Sequence, residues 1–160
     1  SHPVSTAKSK TFILFSDDLD KVLATFVLAN GAAATGEKVT IFFTFWGLNA
    51  IKKTEKPKVR KDWFGKMFGG MLPSDSMKLK LSKMNMGGMG ARMMRHIMKR
   101  KDSLESLRRQ AIENGVEFIA CQISMDVMGV KKEELLDHVT IGGVATYMGR
   151  AEEANVNLFI

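Results

Sequence analysis

Short apolar runs punctuate this chain, separated by longer stretches in which apolar residues return every three or four positions. The runs at 10–16 (KTFILFS), 38–44 (KVTIFFT), 116–120 (VEFIA) and 156–160 (VNLFI) are rich in β-branched and aromatic residues. Each is too short for a helix and reads as a buried strand. A shorter fifth strand falls around 139–141. Between the first two runs, residues 18–35 place Val22, Leu23, Phe26, Val27, Ala29 and Ala33 on most sides of a helix, which predicts a largely buried one. Ser16 is placed to cap it, Asp17, Asp18 and Asp20 favour its positive end, and Gly36 suits a left-handed C-terminal residue. Trp46-Gly47-Leu48-Asn49 reads as the loop after the second strand. Asp102 and Glu105 make a capping-box pattern for a helix with Leu104, Leu107, Ala111 and Ile112 on one face, ended by Gly115. Residues 131–138 (KKEELLDH) predict a short polar helix. Thr140-Ile141-Gly142-Gly143 leads into a last helix that runs to about Ala154.

Strands alternating with helices imply a parallel sheet of about five strands with helices on both faces, a Rossmann-like or flavodoxin-like α/β domain. The connections are too long for hairpins and should cross over right-handed. A length of 160 residues supports one domain with a real core. We assign it to residues 8–160 and treat 1–7 as a flexible N-terminus, a tag remnant included. With 45% hydrophobic and 26% charged residues the composition is that of an ordinary soluble globular protein. No apolar run approaches the roughly 20 residues needed to cross a bilayer. The expectation is a cytoplasmic protein.

Charge changes the picture in one place. Residues 52–101 hold fifteen of the 24 Lys and Arg but only three acids, Glu55, Asp62 and Asp75, for a charge of +12. The rest of the chain is mildly acidic. The segment 54–100 also holds nine of the twelve methionines, six glycines and two prolines, and reads as a basic, Met-rich insertion. So long a loop inside a compact domain implies a mobile or functional element, and methionine with lysine and arginine suits an adaptable docking surface.

Candidate chemistry centres on Cys121, the chain's one cysteine, which excludes an intrachain disulfide and any multi-cysteine zinc site. It closes the third apolar run and opens Gln122-Ile123-Ser124-Met125, the start of a helix. Reaction sites of open α/β sheets gather at the carboxyl ends of strands, and a helix start favours the thiolate. The backbone amides of Ile123, Ser124 and Met125 could also stabilise an anion formed there. The plainer alternative is a buried cysteine that serves as a small hydrophobe.

Four stretches together resemble the DsrE/DsrF/DsrH-like sulfur-relay family, in its soluble DsrE-like branch. They are Cys121-Gln122-Ile123-Ser124-Met125 with Met128-Gly129, preceded by Gly115-Val116-Glu117; Phe15-Ser16-Asp17-Asp18; Phe42-Phe43-Thr44-Phe45-Trp46-Gly47; and Ile141-Gly142-Gly143-Val144-Ala145-Thr146-Tyr147. The resemblance spans nearly the whole chain. It implies a small α/β sulfur carrier or sulfurtransferase whose cysteine accepts and relays a persulfide, as a homo-oligomer, with donor and acceptor proteins that include rhodanese-like ones. On that reading Cys121 is the catalytic residue. Ser16, Asp17, Trp46, Gly47, Ile123, Ser124, Met125, Met128, Gly142 and Gly143 line its mouth or stabilise the anion, and neither a cofactor nor a metal is required.

Two other functions are legible in the insertion. Met84, Met86, Met89, Met93, Met94, His96 and Met98 offer soft ligands for Cu(I). The basic charge with Trp63, Phe64 and Phe68 suits docking on a membrane surface or an acidic partner, more than on nucleic acid, because these residues form no stacking platform. His2 and His138 look incidental, and the Gly87-Gly88-Met89-Gly90 run lacks the spacing of a nucleotide fingerprint. The sulfur-carrier reading comes first. The alternative is a non-catalytic docking module in which Cys121 is core.

Overall fold

The computed structural model describes residues 8–54 and 103–160. Five strands form one sheet: β1 (Ser9–Leu14), β2 (Lys38–Phe43), β3 (Glu117–Cys121), β4 (Thr140–Gly142) and β5 (Val156–Phe159). Their order is β4-β3-β2-β1-β5, and every pairing is parallel. The helices are α1 (Leu19–Ala34), α2 (Leu104–Glu113), α3 (Gln122–Met128) and α4 (Val144–Glu153), with a 3-10 turn over Phe45–Ile51. This is the α/β sheet that the run pattern predicts. Residues 1–7 and 55–102, and with them the expected flexible N-terminus and Met-rich insertion, lie outside the described residues.

Strand order explains which helix covers which face. β1 to β4 step along the sheet in one direction, and β5 returns past them to pair with β1. Right-handed crossovers place helices of the outward steps on one face and the helix of the return step on the other. Accordingly, Phe12, Leu14, Ile41, Phe43, Phe118 and Ala120 form the main core with residues of α1, α2 and α3. On the opposite face Phe42, Ile119 and Cys121 form a smaller cluster with Tyr147 of α4, against which Ile13 and Ala151 pack. The alternation of neighbouring residues between the two clusters is the two-residue pleat of a strand.

Several local expectations are corrected. Ser16 does not cap α1. Asp18 is the cap residue, without a side-chain cap bond, and Ser16 Oγ accepts from the Asp18 backbone N–H at 3.1 Å. Nor is α1 buried on most sides. Leu19, Val22, Phe26 and Ala29 are fully enclosed, whereas Val27 and Leu28 are 55% and 46% exposed. The cap of α2 is Ser103, whose Oγ accepts from the Ser106 N–H at 3.2 Å, while Asp102 lies outside the described residues. The helix expected over 131–138 is reduced to a 3-10 turn at Lys132–Glu134. Tertiary pairing overrides local propensity there: Leu135 bridges Lys52, the Leu136 N–H donates to Ile51 O at 3.0 Å, and Leu135 is buried. The loop after β2 is wound into the 3-10 turn instead of running free.

Candidate functional site

Cys121 ends β3 and is the residue from which α3 starts, without a side-chain cap bond. The pleat turns its side chain, with that of Ile119, toward α4, and it is only 5% exposed. Phe42 supplies one wall, with the Tyr147 ring stacked on it at 5.0 Å between centroids. The Tyr147 hydroxyl and Thr11 Oγ1 are hydrogen-bonded at 3.0 Å, and Thr11 Oγ1 also donates to Asn157 Oδ1. Arg150 holds α4 to the sheet through two bonds to Glu117, from Nε at 2.8 Å and Nη2 at 3.2 Å. The Arg150 guanidinium is the main reason the Glu117 carboxyl lies below its ordinary range, aided by a bond from Thr40 and opposed by partial burial.

Gly142 pairs with Cys121 in the β3–β4 register, and Gly143 precedes the first turn of α4. A Cβ on Gly142 would lie 2.9 Å from Ile119 Cγ2, so the thiol's cluster closes over a position where only glycine fits without displacement. Gly142 therefore adjoins the thiol.

The other sequence candidates divide. Ser124, Met125 and Met128 point to the main-core side of α3. Ser124 Oγ is bonded to Thr44 Oγ1 at 2.8 Å, and both methionines are buried among core residues. Ile123 is on the outside of α3, 60% exposed. Trp46 is half-exposed at the end of β2. Before it, Phe45 adopts φ 49°, a left-handed conformation that is strained for a bulky side chain. Phe45 and Phe159 flank the Phe15 ring at 5.4 and 5.7 Å. Gly47 donates to Phe15 O at 2.9 Å and to Thr44 O at 3.0 Å, and passes so close to Leu14 that no side chain fits. Ser16 and Asp17 sit after β1. Burial is the largest influence on the Asp17 carboxyl and raises its pKa, with Asp18 adding to the rise. The bond from Asn49 Nδ2 to Asp17 Oδ2, at 3.0 Å, opposes it.

Tyr147, Phe42, Thr11 and the Glu117–Arg150 pair were not singled out by sequence reasoning as site residues. The available signal was Tyr147, the chain's one tyrosine, four residues after Gly143. His138 bonds Val116 O at 2.8 Å through Nε2 and meets Phe118 edge-on, a structural role. The residues of the Cu(I) reading lie outside the described part, and the described residues hold no group of three or more His, Cys, Asp or Glu able to bind a metal. No helix among them is long and apolar enough to cross a membrane.

A thiol at a strand end, on a parallel five-stranded sheet with helices on both faces, defines a class, and comparison with known proteins gives the class its name. Residues 6–159 match the DsrE/DsrF/DrsH-like family, and the chain belongs to it. It is 48% identical over 155 residues to YrkE of Bacillus subtilis (strain 168), covering 96% of this chain and 97% of that protein. It is 36% identical over 159 residues to the sulfur carrier protein DsrE2 of Allochromatium vinosum, covering 96% and 98%. Two solved structures share the fold. The ychN protein from E. coli matches with a TM-score of 0.55 at 11% identity, over 97% of this chain and all of that one. MTH1491 from Methanobacterium thermoautotrophicum matches with a TM-score of 0.54 at 14% identity, over 94% and 98%.

Proposed function

We propose that this protein is a sulfur carrier that takes up a persulfide on Cys121 and passes it to a partner. Family membership and the 36% identity to a sulfur carrier protein support a sulfur-relay role. The observation that carries the finer reading is the place of Cys121, the chain's one cysteine, at the carboxyl end of β3. In the loading step the Cys121 thiolate attacks the outer sulfur of a donor persulfide. The new S–S bond forms as the donor's S–S bond breaks, and the donor leaves as a thiolate. In the unloading step an acceptor thiolate attacks the outer sulfur of Cys121–S–SH, and Cys121 departs as the thiolate. Neither step needs an external oxidant, because each exchanges one sulfur–sulfur bond for another.

No second cysteine exists in the chain to resolve the persulfide, so the acceptor thiol belongs to a partner. Rhodanese-like donors and acceptors suit this chemistry, and the reducing cytoplasm keeps the thiol available. Apolar side chains left exposed around the strand ends, Phe45, Trp46, Ile123 and Phe159 among them, favour self-association or partner docking.

The 5% exposure of Cys121 favours the second reading, a core thiol in a docking module. Intact-protein mass spectrometry after incubation with polysulfide separates the two. The carrier gains the mass of whole sulfur atoms, dithiothreitol removes them, and Cys121→Ser gains none. An unchanged wild-type mass after loading would sink the carrier reading.

A further inference from the structure

A carrier must expose its sulfur twice per cycle, yet this thiol is enclosed. Interiors are close-packed, so the outer sulfur of a persulfide requires volume within the buried cluster that Cys121 shares with Phe42, Ile119 and Tyr147. Of these, Phe42 and Ile119 are fixed in the centre of the sheet, on β2 and β3. Tyr147 belongs to α4, the helix that the described residues place on this face. α4 fully buries one side chain, Tyr147, and leaves Val144 and Met148 about half exposed. Besides Tyr147, Ala151 packs partly buried against the same cluster, and polar bonds complete the attachment: the buried Thr11–Tyr147 bond, the Arg150–Glu117 pair, the bond from Asn157 Nδ2 to Ala151 O at 3.2 Å and that from Ser9 Oγ to Glu153 O at 3.1 Å. An element with few buried apolar contacts opens at lower cost than the rest of a domain.

We propose that Tyr147 controls access to Cys121, with α4 moving off the sheet to let a reacting sulfur in and returning to seal it. Tyr147 is a positioning residue in this scheme, holding the ring over Phe42 through the Thr11 hydroxyl. The identity of what enters rests on the sulfur-carrier reading; the gating of the thiol does not. Closure would shield a loaded persulfide from stray thiols in the interval between donor and acceptor.

The test measures how fast dithiodipyridine modifies Cys121 in the native full-length chain, alongside sulfur loading from polysulfide. Tyr147→Ala should raise the modification rate by at least about tenfold, whereas Tyr147→Phe, which keeps the ring and loses the Thr11 bond, should raise it only a few-fold. High salt should speed the wild type by weakening Arg150–Glu117 and leave Arg150→Gln unaffected, a difference that a merely structural role would not produce. A Tyr147→Ala rate within twofold of wild type overturns the proposal. If circular dichroism shows that variant unfolded, Thr11→Val and Arg150→Gln decide, and wild-type rates in both overturn it. Gated modification without any sulfur uptake would refute the carrier reading and leave the gate standing. Sulfur uptake indifferent to Tyr147 would do the reverse.

Discussion

Replacing Gly47 by alanine tests whether this glycine serves the architecture of the strand ends. Built on the existing backbone, the new Cβ lies 2.0 Å from Leu14 O and 2.8 Å from the Leu14 carbonyl carbon. A carbon rests no closer than roughly 3.3 Å to a carbonyl oxygen, so the 3-10 turn must retreat by more than about 1 Å. Both obstacles are backbone, and no rotamer change relieves them. Retreat breaks the bond from the Gly47 N–H to Phe15 O and pulls on the one from the Thr44 N–H to Leu14 O, at 2.9 and 3.1 Å. Two backbone hydrogen bonds at about 1 kcal/mol each, with about 1–3 kcal/mol for local overpacking, give a loss of about 3–5 kcal/mol. Urea denaturation followed by far-UV circular dichroism should show a midpoint lower by roughly 2 M, from a slope of about 2 kcal/mol per M. Gly31→Ala is the control: nothing lies within 4 Å of its Cβ position in α1, and removing a helix-interior glycine should stabilise by about 0.5–1 kcal/mol. A Gly47→Ala loss below about 1 kcal/mol would refute the steric argument.

Two carboxylates should pull the pH dependence of stability in opposite directions. Asp17 has its pKa raised above 3.8 by burial, so the folded state holds its proton more tightly. Its favourable contribution is present below the unfolded value and lost as pH rises through the folded one, and Asp17→Asn should raise the neutral-pH melting temperature. An equal or lower melting temperature for that variant would contradict this. Glu117 is lowered below 4.5, first by its bond from Arg150, so its contribution is present above the unfolded value and lost as pH falls through the folded one. With both partners about one-third exposed, Glu117→Gln should cost only about 0.5 kcal/mol near neutral pH and nothing in acid, as read from urea titrations at both.

The fold was legible because strand signals and pleat are local. The runs at 10–16, 38–44 and 156–160 each start within one residue of an observed strand, and the turn glycines Gly36 and Gly115 take the positive φ expected after a helix. Interactions distant in sequence were not legible. Leu135 leaves a helical pattern to bridge Lys52, and Arg108, which charge patterning would place in water, is buried and donates to Ala50 O at 3.0 Å. For the site, the strand-end position of Cys121 could be read directly, because strand and helix signals meet there. Which way α3 turns could not. Ser124, Met125 and Met128 follow the cysteine in sequence, but a helix separates neighbours by about 100°, and these three face the main core. Tyr147 joins the thiol's buried cluster from 26 positions downstream, a proximity that the return crossover creates.

That crossover divides the labour of the sheet. One face carries the large aromatic core under α1 and α2, so side chains there answer to stability. The other carries the thiol under one short helix among the described residues, so fewer side chains there answer to stability. Drift between relatives should therefore be cheapest on α4 and the strand positions beneath it. A designer seeking a different sulfur partner, or a different reactive group, would vary that face and keep the other.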